Sequence, residues 1–457
     1  MIKRGANSQK LTEGSILKTL IKLSIPLILT NILQTAYNLT DTFWVGRLGK
    51  VAVAAVSLSF PIVFIIISLG SGLAIAGSIL SAQKKGEEDT KSIDHIATQT
   101  FLSIMLIALL LSVIGYFISP YLITFMHVEP DVYQDALAYL QISFFGLVPL
   151  YMFMIFQSMM RSIGEVVLPF FIVLSTVLLN LALDPLFIFG WHDIIPANGV
   201  KGAAIATVST QLLAAGISAF MLFSGKKGIR IRFTDYKPDF PLLKKLFKVG
   251  APVSIEQVSR ALGIFAMVKL VTYFGTLAIA SYGIGSRILS FVIIPAFGLG
   301  MATSTLVGQN IGAKQYNRVK KTLQLSMGIA FGVMTFLGII FYFFAPAIAK
   351  FFIPNDLETI QSSAVFIRYI AVSFGFMGVL IVLIGAFRGA GRTKISMALA
   401  LFSVWIIRFP LAYYLSHFTN FKEIGIWISY PVTNIATAVV GFIILIKFHW
   451  LTKEKSL

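Results

Sequence analysis

The chain has 457 residues, of which 57% are hydrophobic and only 12% are charged, and its mean hydropathy is +0.86. A soluble domain carries roughly 25% charged residues, so this composition excludes a soluble enzyme and a disordered protein. The complete lack of cysteine excludes disulfide scaffolds, thiolate zinc sites and cysteine nucleophiles. The net charge of +18 would suggest nucleic acid for a soluble chain, but in a membrane protein it indicates cytoplasmic loops, and no nucleic-acid partner is expected.

Twelve apolar stretches are long enough to cross a bilayer, which takes about 20 residues each. In chain order they lie at 17–45, 51–82, 96–118, 133–159, 166–190, 201–223, 242–273, 278–308, 322–345, 360–387, 395–416 and 424–448. We name them spans 1 to 12. Because the connections are short, the sequence predicts an all-α integral membrane protein of twelve transmembrane helices with no soluble domain.

Lysine and arginine concentrate in the N-terminal tail, the even-numbered connections and the C-terminal tail. The opposite side of the predicted membrane has only five of them, namely Arg47, Lys50, Lys201, Lys350 and Lys422. Positively charged loops stay on the cytoplasmic side. The sequence therefore predicts a multi-pass protein of the cell membrane with both termini in the cytoplasm.

The two halves of the chain repeat each other at an offset of 226 residues, without a gap from 17 to 86. The matched positions include Pro26 with Pro252, Gly49 with Gly275, Gln83 with Gln309, and Gly86 with Gly312. We expect an N-lobe at 1–224, a cytoplasmic linker at 225–241 and a C-lobe at 242–457. Two six-helix lobes of the same topology would be related by a pseudo-two-fold axis along the membrane normal, an arrangement typical of transporters. A duplicated scaffold without a transport role is the alternative.

Two aspartates lie inside the predicted spans at the same depth. Asp41 is 19 residues beyond Lys22 in span 1, and Asp184 is 19 residues beyond Glu165 in span 5. At about 1.5 Å per residue, both stand roughly 28 Å from the cytoplasmic boundary. Ionisable groups within a span cost roughly 2.5–3.5 kcal/mol and are functional candidates, although residues this near the outer boundary could simply face water.

Other polar side chains reach the same level in the first half of the chain: Tyr37, Tyr139, Asn180 and Thr207. Two carboxylates with an amide and hydroxyls suit either a hard cation such as Na⁺ or a shared proton. The counterparts of the two aspartates in the second half are Met267 and, approximately, Leu411. Ion coupling is therefore predicted for the first half alone.

In span 7, Glu256 and Arg260 are four residues apart. They can neutralise each other as a structural pair, or they can contact a substrate in a C-lobe cavity. Met152 belongs to a Met- and Phe-rich stretch of span 4, which either packs and faces lipid or lines an adaptable apolar pocket.

Three stretches resemble helices 1, 5 and 6 of the multidrug and toxic compound extrusion (MATE) family, and the similarity extends over nearly the whole chain. The first runs from Pro26 through Gln34, Tyr37, Asn38 and Asp41 to Gly46-Arg47-Leu48-Gly49. The others are Asn180-Leu181-Ala182-Leu183-Asp184-Pro185 and Gly202-Ala203-Ala204-Ile205-Ala206-Thr207.

The resemblance implies a two-lobed exporter, not an enzyme, that exchanges drug-like cationic or amphipathic compounds for H⁺ or Na⁺ and needs no cofactor. The DinF-like branch is the closer match, because it keeps its acids in the N-lobe. By this resemblance Asp41 is the switching acid, and Asn180, Asp184 and Thr207 complete the cation site, which would also hold Na⁺. The predicted substrate contacts are Gln34, Tyr37, Tyr139, Asn180 and Met152. The glutamate of the NorM-like branch falls at Arg260, so its role is not transferred to Glu256.

We weighed three other functions against the sequence. A lipid-linked oligosaccharide or lipid flippase of the same superfamily would favour a strongly cationic cavity, and the arginines of the second half are compatible with it. A major-facilitator transporter would usually show a basic Gly-Asp-Arg loop after span 2, which is absent here. A membrane enzyme would need convergent catalytic groups, and the sequence shows none. We expect a monomer whose partners are small-molecule substrates and membrane lipids.

Overall fold

The computed structural model describes residues 11–192, 194–233 and 237–447. In the first half the helices are α1 (Ile16–Gly46), α2 (Lys50–Gly86), α3 (Thr90–Phe125), α4 (Pro130–Phe145), α5 (Leu147–Ser162), α6 (Val167–Phe189) and α7 (Gly199–Ser224). In the second half they are α8 (Phe240–Thr272), α9 (Gly275–Val292), α10 (Ile294–Gly312), α11 (Tyr316–Phe343), α12 (Ala345–Phe352), α13 (Leu357–Ala371), α14 (Phe374–Gly389), α15 (Thr393–Leu401), α16 (Phe409–His417) and α17 (Glu423–Lys447). A π-helical segment, Phe402–Arg408, joins α15 to α16.

The all-α membrane class is confirmed. Within the described residues, nine helical segments are long and apolar enough to cross a membrane, and two bent helix pairs bring this to eleven. Every one of the twelve predicted spans coincides with a helix or a run of helices. Span 7 corresponds to α8, which is not among the eleven and which carries six ionisable side chains.

Three predicted spans are broken rather than continuous. Span 4 is bent by 46° between α4 and α5, at Gly146, and span 10 is bent by 51° between α13 and α14. Gly146 lies against α7, because an added Cβ there would stand 2.7 Å from the Val208 side chain. Span 8 breaks at Ile293, where Pro295 starts the next helix and cannot continue the previous one. Hydropathy alone does not reveal such breaks.

The helix bounds reproduce the sequence repeat. At an offset of 226, α2 and α10 end at equivalent positions, and α3 and α11 begin at equivalent positions. At an offset of 227, α5 and α14 both begin and end at equivalent positions. Turns at equivalent positions also share left-handed backbone: φ is +104° at Gly49 and +83° at Gly275, and +61° at Glu88 and +56° at Lys314. The two halves thus share these helix ends and turn conformations. The direction of the pseudo-two-fold axis stays a prediction.

The chain divides into two compact units. Unit 1 contains Leu29–Ser254, and unit 2 contains Leu11–Ile28 together with the chain from Ile255 onward. The boundaries between the units fall inside α1 and α8. The predicted lobes, 1–224 and 242–457, follow from the sequence repeat instead, and they stay a prediction. Each unit has its own apolar core, centred on α2, α3 and α5 in unit 1 and on α9, α13 and α17 in unit 2.

Candidate functional site

Three helices of unit 1 carry the polar residues of the predicted site. On α1, Tyr37 and Asp41 are one turn apart, and on α6 Asn180 and Asp184 are one turn apart, so each pair shares a helix face. The third helix, α7, approaches α6 closely because Gly202 has no side chain: an added Cβ would collide with the carbonyl oxygen of Phe187.

Asp41, Asn180, Asp184 and Thr207 form one group, which we call the acidic cluster. The Asn180 amide donates to Asp184 Oδ1 at 2.9 Å, and the Thr207 hydroxyl donates to Asp41 Oδ2 at 3.3 Å. The two carboxyl groups are close enough to interact directly, and Asp41 also interacts with Asn180. Asn180 and Asp184 have no exposed surface, and Asp41 is partly buried.

Three oxygen atoms of the acidic cluster are buried without a hydrogen-bond donor from any residue that the structure describes. They are Asp41 Oδ1, Asn180 Oδ1 and Asp184 Oδ2. Buried hydrogen-bond acceptors normally have a partner. Hard cations prefer to be coordinated by oxygen atoms, and these three atoms are all oxygens. The described residues include no group of three or more His, Asp or Glu side chains that could hold a metal ion. A cation here would be held by two carboxylates, an amide and a hydroxyl.

A second hydrogen-bonded pair borders the acidic cluster. The hydroxyl of Tyr37 lies 2.8 Å from that of Thr210, and Thr210 donates its own proton to the Thr207 carbonyl at 2.8 Å. Because a hydroxyl has one proton, Tyr37 must be the donor to Thr210. Thr210, fully buried, was missed in the sequence, although it lies one helical turn beyond Thr207.

The remaining predicted contacts are spread over unit 1. Tyr139 on α4 is partly buried, and its hydroxyl is near enough to Asp41 and Asp184 to interact electrostatically. Gln34 is exposed on α1, two turns before Asp41. Met152 is 8% exposed and packs in the core of α2, α3 and α5. All five predicted substrate contacts, which also include Tyr37 and Asn180, stay predictions.

In unit 2, Glu256 is completely buried between two arginines. Arg260 Nη2 lies 2.9 Å from Glu256 Oε1, as the spacing of four residues allows. Arg388 Nη2, at the end of α14, lies 2.9 Å from Glu256 Oε2. The sequence showed the first partner but not the second, because Arg388 is 132 positions away and falls just after predicted span 10, which ends at 387.

Comparison with known proteins agrees with this architecture. The MatE family model matches residues 26–186 and 252–414. The chain is 27% identical to "Probable multidrug resistance protein YoeA" of Bacillus subtilis, over 98% of this chain and 97% of the relative. It is 25% identical to the "FAD transporter" of Shewanella oneidensis, over 94% of this chain and 95% of the relative. The solved "Crystal structure of MATE in complex with MaL6" superposes with a TM-score of 0.90 at 25% identity, covering 96% of this chain and 97% of that one.

The buried carboxylate of unit 2 generates a prediction about stability. We expect Glu256→Gln to lower the free energy of unfolding by about 3–5 kcal/mol, because Arg260 and Arg388 would be left facing each other without their counter-charge. Thermal unfolding of the purified protein in detergent measures this. The matched control is Glu129→Gln, an exposed glutamate before α4, which should unfold like the wild type. Equal melting temperatures for both variants would show that Glu256 does not hold the arginines in place.

Proposed function

The chain belongs to the MatE family of membrane transporters, and from that membership we propose that it is a secondary active exporter. It would antiport amphipathic or cationic organic compounds against H⁺, Na⁺ or both, by alternating access. The single observation that supports ion coupling is the set of three buried oxygens without donors in the acidic cluster.

The coupling mechanism we propose follows from the charge of the acidic cluster. Two ionised carboxylates in direct interaction repel each other in a partly dry site, and a proton or a cation between them relieves the repulsion. Either ion would then stabilise the same conformation, and the two would compete. Because a ligand shifts an equilibrium only by binding one state better, the ion-bound and ion-free states must differ in how Asp41 and Asp184 are placed.

We propose α1 as the moving element. It carries Tyr37 and Asp41, and it ends at Gly46, with Gly49 following at a left-handed φ of +104°. Such glycine positions continue a helix poorly. Protonation of Asp41 would therefore bend or shift the outer part of α1, shrink the N-lobe cavity and expel the substrate. Gln34, Tyr37, Tyr139, Asn180 and Met152 are the proposed substrate contacts.

The DinF-like branch fits this proposal because the second half has no acid at the positions equivalent to Asp41 and Asp184. The positions equivalent to Asp41 and Asp184 in the second half are Met267, which is buried, and approximately Leu411. A second candidate, a lipid-linked oligosaccharide or lipid flippase, is favoured by the arginines of unit 2. We also propose that the protein works as a monomer.

The first prediction concerns the switching acid. We expect Asp41→Asn to abolish dye efflux driven by an imposed proton or sodium gradient, because asparagine keeps the shape of the side chain but cannot change its charge. Efflux of a fluorescent cationic dye from reconstituted vesicles measures this, with the amount of inserted protein quantified in parallel.

Asp131→Asn serves as the matched control, since Asp131 is an exposed acid in the first turn of α4. It should leave efflux unchanged. Normal gradient-driven efflux by Asp41→Asn would remove Asp41 from the mechanism.

A second prediction concerns the coupling ion. We expect ²²Na⁺ binding to the purified protein at high pH and its loss at low pH, because protonation of a carboxyl removes the charge that attracts the cation. Asp184→Asn should lose the binding at every pH, whereas Asp131→Asn should keep it. Sodium binding that does not change with pH would refute the competition, and a lack of binding at all pH values would leave H⁺ as the coupling ion.

The third prediction concerns orientation, for which we propose that both termini are cytoplasmic. Because the chain has no cysteine, single introduced cysteines report their side without background. A membrane-impermeant maleimide should label Asp131→Cys in intact cells, and Lys91→Cys only after the cells are permeabilised; both positions are exposed. The reverse pattern would invert the proposed topology.

A further inference from the structure

Three arginines inside unit 2 share a single carboxylate. Arg260 and Arg388 both pair with Glu256, and Arg408 makes no ion pair with any residue that the structure describes. Two positive charges are therefore left without a counter-charge among the described residues. Because an arginine in a membrane span is costly, this excess needs a reason.

Arg408 is held at the end of a segment with unusual backbone. The π-helical segment Phe402–Arg408 runs directly into α16, where Pro410 follows. π-Helical turns are rare and occur frequently at functional sites. The Arg408 guanidinium donates to Asn434 Oδ1 at 3.0 Å and lies 4.5 Å above the Tyr430 ring. Its Nε is buried without an acceptor from the described part of the chain.

The π-helical segment packs against α8, which carries Arg260. Trp405 donates to the Ser259 hydroxyl at 2.7 Å, and the missing side chain of Gly263 leaves room for Val404. Arg260 and Arg408 are close enough to repel each other electrostatically. Arg260 is also 31% exposed, although Glu256 beside it is fully buried.

A buried aromatic cluster lies beside Arg408. The Tyr430 hydroxyl is 3.0 Å from that of Tyr282, and Tyr282 stacks on Trp427 at a centroid distance of 6.1 Å. All three rings are buried in the core of unit 2, so they fix the position of Tyr430 against the Arg408 guanidinium. The Arg408 Nε–H group has no acceptor among the described residues. Guanidinium groups are suited to bind carboxylates and phosphates through charge-assisted hydrogen bonds.

We propose that Arg260 and Arg408 form an anion subsite of unit 2 for the acidic group of an amphipathic substrate. The group is a carboxylate, sulfonate or phosphate, which a guanidinium binds through charge-assisted hydrogen bonds. Its source is either a free organic acid or a lipid with a phosphate headgroup. This names a substrate class for the proposed exporter and extends it from cations to compounds that carry an acidic group.

The experiment compares two dyes that share a xanthene ring and differ in charge. Purified protein in detergent is titrated with fluorescein, an anion, and with rhodamine 123, a cation, and fluorescence anisotropy reports binding. We expect fluorescein to bind and Arg408→Gln to weaken its affinity by roughly tenfold or more, with rhodamine 123 affected little. Arg408→Lys should restore only part of the affinity, since lysine keeps the charge but loses the planar donor pair.

The matched control is Arg368→Gln, which removes an exposed arginine of the same unit that contacts the carbonyl and the ring of Tyr342. It should leave fluorescein binding unchanged. If Arg408→Gln does not fold, displacement from the wild type decides: 2-naphthoate should displace fluorescein, and the cationic 2-naphthylmethylamine should not.

Phosphatidic acid in mixed micelles distinguishes the two sources. Displacement by this lipid indicates a headgroup ligand, and displacement by naphthoate alone indicates a free organic acid. Equal loss of fluorescein affinity in Arg408→Gln and Arg368→Gln, or equal displacement by the naphthyl acid and amine, would overturn the anion subsite. The assay uses no ion gradient, so a failure of gradient-driven export would be seen separately in the vesicle experiment.

Discussion

A charge inside a membrane protein must meet an opposite charge, a hydrogen-bonding partner or water, because the bilayer core supplies none of these. This constraint organises both units of the protein. In unit 1, two carboxyls face one another with an amide and a hydroxyl, and three of their oxygens are left without a donor among the described residues. In unit 2, one buried carboxylate lies between two arginines. The third arginine, Arg408, donates a hydrogen bond to Asn434 and lies over the ring of Tyr430. The described residues thus leave three oxygens without donors in unit 1 and two arginine charges without a counter-charge in unit 2.

The repeated scaffold makes the opposite chemistry of the two units easy to compare. At the offset of 226, Asp41 corresponds to Met267, and Gln34 corresponds to Arg260. Several helix ends and left-handed turns match between the halves. The continuous helices α2 and α6 nevertheless correspond to interrupted ones in the second half, namely α9 with α10 and α15 with the π-helical segment and α16. The local backbone design therefore does not determine the polarity of a site. Equivalent helices thus carry different polar side chains in the two halves, so function has to be argued from the side chains and not from the fold.

The sequence predicted what depends on local periodicity. Apolar runs of the right length located helices throughout the described residues, nine to eleven of them candidate membrane spans. Pairs four residues apart, such as Glu256 with Arg260, follow from helix geometry. Depth along a helix also placed Asp41 and Asp184 together. What it missed depends on packing between distant helices. The bend at Gly146 lies where α7 packs closely against the chain, and the second partner of Glu256 lies on α14. The π-helical segment before Arg408 has no hydropathy signal, because its residues would be equally apolar in an α-helix.

The signs of the two sites also constrain how substrate and ion could be exchanged. A cationic substrate in unit 1 would be attracted by the same carboxylates as H⁺ or Na⁺, so the two could displace each other directly. A substrate bound through its acidic group to Arg260 and Arg408 meets no such competitor, since the coupling ion has the same sign as those arginines. Its release would have to be driven through a conformational equilibrium that the ion shifts, which requires the ion to bind one conformation better than the other. A compound with both charges would be subject to both effects. The charge of the transported compound therefore distinguishes the two mechanisms: direct competition with the ion for cations, and conformational coupling for compounds bound through an acidic group.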